Sequence, residues 1–227
     1  MICDKCGGAI DESVQMLIMA GIVDKRECTA CLTANLPAKK QETPDDAEEW
    51  KRVAGIAQHY WQAKTTDFSQ PVQEHCREWW KGRERILCIT GETGTGKTHL
   101  ACSIAMAVRE KTGKSAYFLS TSELIEAFRS QAMGDPSPVV MRAEMTGVLI
   151  LDDFGVEKVT DFAFDALFRI IDRKAGRVII TTNLTEDQME DKYDSRIASR
   201  IGAGYVVKFE GKDRRATKCK IAREVVQ

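Results

Sequence analysis

No stretch of this 227-residue chain approaches the roughly 20 consecutive apolar residues that a membrane span needs, so no membrane partner is expected. The start, Met1-Ile2-Cys3-Asp4-Lys5-Cys6, lacks the basic-then-apolar pattern of a secretory leader, and the expectation is a soluble, cytoplasmic protein. An excess of one charge is also missing. Thirty-three lysines and arginines stand against 34 aspartates and glutamates, a formal net charge of −1. That balance excludes a polybasic protein whose whole surface coats nucleic acid. Internal repeats and low-complexity tracts are absent, and 43% hydrophobic with 30% charged residues describes a chain able to bury a core.

Cysteine, by contrast, is plentiful: eight residues, four of them in the pairs Cys3/Cys6 and Cys28/Cys31. A disulfide-stapled secreted domain would be shorter and carry a leader, so reduced thiols are the better reading. Residues 1–36, bracketed by the two pairs, read as a small separate module. Residues 37–82 follow as a linker and connecting helices: the stretch Pro37–Asp46 has two prolines and no apolar run. Apolar residues then recur at helical spacing over Ala47–Ala63 and Val72–Lys81. From residue 83 to 227 strand-length apolar runs (Ile86–Thr90, Ala116–Leu119, Val148–Leu151, Val178–Thr181) alternate with amphipathic stretches at Lys97–Lys111, Ser122–Gln131 and Asp161–Lys174. That alternation predicts an α/β domain with a parallel sheet flanked by helices.

The first strand runs into Gly91-Glu92-Thr93-Gly94-Thr95-Gly96-Lys97-Thr98, which fits G-x-x-x-x-G-K-[ST] at every fixed position. Glycines let the backbone curl so that its N–H groups face phosphate oxygens, and the following helix adds the positive end of its dipole. Lys97 is placed to reach the β- and γ-phosphates of ATP and the Thr98 hydroxyl to ligate Mg²⁺. A second strand, Val148-Leu149-Ile150-Leu151, ends in Asp152-Asp153. Asp152 suits the metal ion, and Asp153 the orientation of an attacking water. A third strand closes on Thr181-Thr182-Asn183; Asn183 either bonds the γ-phosphate or lytic water, or caps the next helix.

These motifs in this order, followed by Ser195-Arg196-Ile197-Ala198-Ser199-Arg200-Ile201, resemble the AAA+ P-loop ATPases. More narrowly, the chain resembles DnaC-type replicative helicase loaders and the related IstB-type transposition ATPases. The features are Gly91-Glu92-Thr93-Gly94-Thr95-Gly96-Lys97-Thr98-His99-Leu100, the Asp152-Asp153-Phe154-Gly155 strand end and the Thr-Thr-Asn tip, and the likeness spans roughly residues 50–220. It places His99 beside the nucleotide. It also implies that Arg200 is an arginine finger reaching a neighbouring subunit's γ-phosphate, with self-association in the ATP state. Arg196 lies one turn earlier on the same helix. Arg215, or Arg214 in a shifted register, matches the second sensor. Only 26 residues follow Ile201, too few for the full helical lid of larger AAA+ machines.

Cys3-x-x-Cys6 and Cys28-x-x-Cys31 enclose 21 residues, slightly beyond the usual zinc-ribbon spacing, and offer four thiolates to a structural Zn²⁺. Residues 1–36 carry five acids against three bases, the wrong sign for phosphate binding. Met16-Leu17-Ile18-Met19-Ala20 offers either an apolar docking surface for a protein or the module's own core. Basic charge gathers instead over Lys208–Glu224, with seven bases against three acids; with the loop Met133–Val140 and helix Ser122–Gln131, this either tracks single-stranded DNA, as the resemblance implies, or is a solvated tail. The leading expectation is therefore an ATP-dependent loader that binds the replicative DNA helicase and single-stranded DNA and releases the helicase on hydrolysis. The alternatives are an IstB-type ATPase acting on duplex DNA, and a helicase-binding adaptor or inhibitor that uses ATP only structurally.

Overall fold

A computed structural model describes residues 9–10, 44–134 and 137–209. Contacts divide the chain into two units, Met1–Asp46 and Ala47–Gln227, and the architecture below is that of the second. The four paired cysteines, Arg214, Arg215 and most of the basic C-terminal stretch lie outside the described residues.

Five parallel strands form one sheet in the order β2-β3-β4-β1-β5. They are β1 (Ile86–Gly91), β2 (Ala116–Ser120), β3 (Val148–Phe154), β4 (Arg177–Thr182) and β5 (Tyr205–Phe209). The first four follow the apolar runs of the sequence. β5 was not expected: it is an edge strand whose buried residue is Val207, with Val206 and Lys208 exposed, so its hydrophobic signal is weak.

Eight α-helices are described: α1 (Pro44–Val53), α2 (Gln70–Lys81), α3 (Lys97–Thr112), α4 (Thr121–Ala132), α5 (Pro138–Met145), α6 (Asp161–Arg173), α7 (Glu186–Tyr193) and α8 (Ser195–Gly202). Strand alternation sorts the core into two faces. On one, Cys88, Leu149, Leu151, Val178 and Ile180 meet helices α4 to α8 through Leu124, Val140, Leu167, Met189 and Ile197. On the other, Leu87, Ile89, Ile150 and Ile179 meet α3 and α2 through Leu100, Ile104, Val108 and Trp79. Both faces are covered, which is why the strands read as continuous apolar runs.

Two local expectations are corrected. The helix expected over Ala47–Ala63 stops at Val53, because Gly55 adopts φ +76° and a Cβ there would lie 2.8 Å from the Phe118 carbonyl oxygen. The Ala54 carbonyl instead accepts the Phe118 N–H at 2.8 Å, fastening the segment to β2. Trp61 keeps its place by donating Nε1–H to the Ile56 carbonyl at 2.7 Å; a single 3-10 turn, Gln58–Tyr60, and not a continued α-helix, supplies the rest of the periodicity. The expected loop Met133–Val140 gives way at Pro138 to α5, whose N-cap Ser137 accepts the Val140 N–H.

Cations close the C-terminal ends of helices against the sheet, where carbonyls have no intrahelical partner. Arg177, which opens β4, donates to the carbonyls of Trp79, Trp80 and Gly82 at 2.9 Å and to that of Glu84. Its guanidinium also stacks over the Trp79 ring at 5.1 Å. Lys174 donates to the carbonyls of Glu144 and Thr146 at the end of α5, and burial pulls its ammonium down to about 8. Arg177→Met, which keeps the stem and removes these four hydrogen bonds, is expected to lower unfolding free energy by about 2–4 kcal/mol in urea titrations. An unchanged midpoint would show that these contacts carry no net stability.

Candidate active site

The ends of β1, β3 and β4 and the start of α3 meet at one edge of the sheet, the carboxyl end at which open α/β sheets place ligands. β1 passes into the loop Gly91–Thr98. Gly94 and Gly96 take φ +82° and +106°, which residues bearing a Cβ resist. Thr95 is buried and donates its hydroxyl to the Glu92 carbonyl at 2.8 Å, closing the turn. Lys97, 6% exposed, has its Nζ 2.9 Å from the carbonyls of Gly91 and Glu92 and 2.6 Å from Asn183 Oδ1. The loop lysine and the β4 tip therefore meet at one point. Asn183 is not the cap of α7: that is Thr185, whose side chain accepts from the Gln188 N–H.

Asp152 sits one strand away. Its Oδ1 accepts from the Thr98 hydroxyl at 2.9 Å and from the Thr181 hydroxyl at 2.6 Å. Burial pushes its carboxyl above the ordinary value, and the two hydroxyl bonds act against that rise. Thr181 was not among the expected site residues. Within Val178-Ile179-Ile180-Thr181 it reads as another β-branched strand residue, yet it also accepts the Asp153 N–H at 3.1 Å and so orders both acids. Asp153 is exposed at φ +54°, an uncommon conformation for a non-glycine residue that turns it away from the line of β3. A hydroxyl and a carboxylate oxygen side by side, with an ammonium adjacent, form the oxygen donor set that suits Mg²⁺ bound with a nucleotide phosphate. No cluster of metal-ligating side chains suited to zinc occurs among the described residues.

Loop residues Phe154–Glu157 are pinned from both sides. Thr182 donates its hydroxyl to the Phe154 carbonyl at 2.6 Å. Glu157, 8% exposed, accepts the Gly155 N–H at 3.1 Å and the Tyr193 hydroxyl, while Lys192 donates to the Gly155 carbonyl. The Phe154 and Tyr193 rings lie 4.7 Å apart. The loop after the two acids is thereby tied to the end of α7, and Asp194 directly after it starts α8.

The arginines of α8 share a face, as their spacing predicts. Arg200 pairs with Asp172 at 2.8 Å and lies over the Phe168 ring at 4.4 Å. Arg196 pairs with Asp194 and lies over Phe164 at 4.6 Å. His99 bonds Asp67 at 2.8 Å, holding that carboxyl below its usual range, and its ring packs 5.6 Å from Phe68 and 6.2 Å from Tyr60.

The comparisons agree with this geometry. Residues 46–201 match the model of the IstB-like ATP-binding proteins. The chain belongs to that family. It is 38% identical over 112 residues to the ATP-binding protein of insertion sequence IS1162 from Pseudomonas fluorescens, covering 47% of each chain. The chain thus spans about half the length of that relative, and less than a third of a DnaA initiator from Porphyromonas gingivalis that it matches at 27% identity. Among solved structures, the DnaC helicase loader superposes with TM-score 0.61 at 23% identity, over 68% of this chain and all of that one. DnaA bound to AMPPCP and single-stranded DNA superposes at 0.56 and 18%, over 66% of this chain and 50% of that one. These likenesses place the fold as the AAA+ P-loop core. Among the described residues no helix is long and apolar enough to cross a membrane.

Burial raises the Glu157 carboxyl above its ordinary value. A raised folded value means that this group favours the folded state fully only below the unfolded value near 4.5, and that the contribution is lost as pH climbs through the folded one. Glu157→Gln cannot ionise and retains both kinds of hydrogen-bonding atom. The thermal midpoint of the wild type should therefore fall relative to this variant as pH rises from about 4.5; parallel curves would contradict the burial argument.

Proposed function

We propose that this protein is a Mg²⁺-dependent ATPase that assembles on DNA and uses hydrolysis to hand over a bound protein, the first candidate being a replicative helicase. The observation that carries the ATPase reading is the convergence of Lys97, Asn183, Thr98 and Asp152 at one strand edge. In this reading the amides of Gly94 to Lys97 and the Lys97 ammonium bind the β- and γ-phosphates. Thr98 and Asp152 hold Mg²⁺, which when bound neutralises developing phosphate charge. Asp153 orients water and accepts its proton, and Asn183 holds the water or γ-phosphate by its amide. Arg200 of a neighbouring subunit leaves Asp172 to meet the transferred phosphoryl group, so that turnover requires assembly. His99, Phe68 and Tyr60 wall the adenine side.

Residues 1–36 serve as the helicase-docking module, folded around Zn²⁺ by Cys3, Cys6, Cys28 and Cys31. Residues 83–227 form the ATPase domain, and Arg215 acts as second sensor. Structural likeness to the DnaC loader supports the helicase, and likeness to DnaA on single-stranded DNA supports that ligand. One observation favours a second reading, transposition with duplex DNA: the 38% identity to an insertion-sequence ATP-binding protein.

Lys97→Ala is expected to abolish binding of a fluorescent ATP analogue. Asp152→Asn should retain most binding and lose at least about a hundredfold in turnover. Either variant hydrolysing ATP like the wild type would remove the assignment, and a wild type that binds without turnover would leave the adaptor role. Size-exclusion chromatography with the host helicase separates the partner readings. A complex lost in a chain starting at Asp45 supports the loader; no complex with the full chain turns the assignment to transposition.

A further inference from the structure

The opposite end of the sheet, where the strands begin, carries a second concentration of charge. Arg85, Ser115, Gly147 and Arg177 stand at the starts of β1 to β4 and, with Arg83 and Lys114, line a shallow trough of about 490 Å³. Beside it runs a cleft of about 450 Å³ between α2 and α3, with Trp80, Ile104 and Val108 on its floor and Arg77, Lys81 and Lys111 at its rim. Trp80 links the two: it lines the cleft, and two cations of the trough, the Lys114 ammonium and the Arg177 guanidinium, lie 5.4 and 5.2 Å from its ring. Seven cations line the two depressions and no carboxylate lines either. In a chain with 33 bases and 34 acids, such segregation is a local electrostatic feature and not a reflection of composition. Glu78, Glu84 and Glu110, the acids adjacent in sequence to these cations, line neither, although the Glu84 carboxylate acts on Arg177 from beside the trough.

The charge is also held in place. Arg177 and Arg85 spend their donors on backbone carbonyls at helix ends, which fixes their positions; Glu84 is the carboxylate that acts on Arg177. Arg83, Lys81, Lys111 and Lys114 are exposed. A cationic trough beside an apolar cleft, with Trp80 between their cations, matches one ligand chemistry: a phosphate backbone whose bases are free to leave the stack. Phosphates would follow the cations, and unpaired bases would enter the cleft beside Trp80. An acidic protein surface lacks the regular charge that such a track rewards, and a duplex keeps its bases out of the cleft. We infer that this face is a single-stranded nucleic-acid site, separate from the nucleotide site. It rests on the proposed DNA-binding reading, to which it gives a site, and does not depend on hydrolysis.

The test is fluorescence anisotropy of a labelled oligothymidylate with the full chain, across a salt series. The comparison is a variant carrying Lys81→Gln, Arg83→Gln, Lys111→Gln and Lys114→Gln, none of which belongs to the nucleotide site. Thermal midpoint and ATP-analogue binding serve as folding controls. Each phosphate contact on single strands contributes about 0.7 to the slope of log affinity against log salt. The variant should therefore lose about 2–3 units of slope and on the order of a hundredfold in affinity near 0.1 M salt. A wild type that does not bind the oligonucleotide, or a variant that binds with unchanged slope, overturns the site. Tighter binding of the matching duplex overturns the single-stranded assignment.

Discussion

One half-buried carboxylate organises the site. Asp152, near the end of β3, sits where burial disfavours its charge, and it is held there by hydroxyls from two other elements, Thr98 of α3 and Thr181 of β4. A carboxylate so placed is poorly solvated, and a divalent cation or further donors relieve that deficit. Bringing it there requires three strand ends in register, and that requires the dry, two-sided sheet. The core thus supplies more than stability: a slip of β3 by one residue would turn Asp152 to the other face and replace it with Leu151 or Asp153.

From that point constraints spread outward along β4. Thr181 orders Asp152 and the Asp153 amide, Thr182 holds the Phe154 carbonyl, and Asn183 meets Lys97. Three consecutive residues therefore reach three different parts of the site. Beyond them, the buried Glu157 and Tyr193 link the loop after the acids to α7, whose end leads into the helix of Arg196 and Arg200. A physical path of packed and hydrogen-bonded groups joins the phosphate loop to those arginines.

What was legible in the sequence follows from how local each constraint is. The phosphate loop is readable because its backbone needs glycine at fixed offsets, and the strands because burial on both faces leaves uninterrupted apolar runs. Thr181 was not readable, since a threonine at a strand end serves packing as well as it serves a carboxylate. Glu157 and Tyr193 lie 36 residues apart and meet only through the fold. The helix expected to Ala63 failed on a single residue, Gly55, whose left-handed turn is imposed by a distant carbonyl of β2. The basic face at the strand starts was equally hidden: its cations come from α2, α3 and the openings of β1 and β4, and no window of sequence collects them.

The central claim is that two half-sites, the Lys97 loop of one subunit and Arg200 of the next, make one catalytic centre. Mixing Lys97→Ala with Arg200→Ala protein tests it most directly. Each variant alone should be inactive, and the mixture should regain ATP turnover, because some interfaces then pair an intact loop with an intact arginine. A mixture as inactive as its components, under conditions where both still assemble, would contradict the account, as would an Arg200→Ala protein that hydrolyses ATP at the wild-type rate.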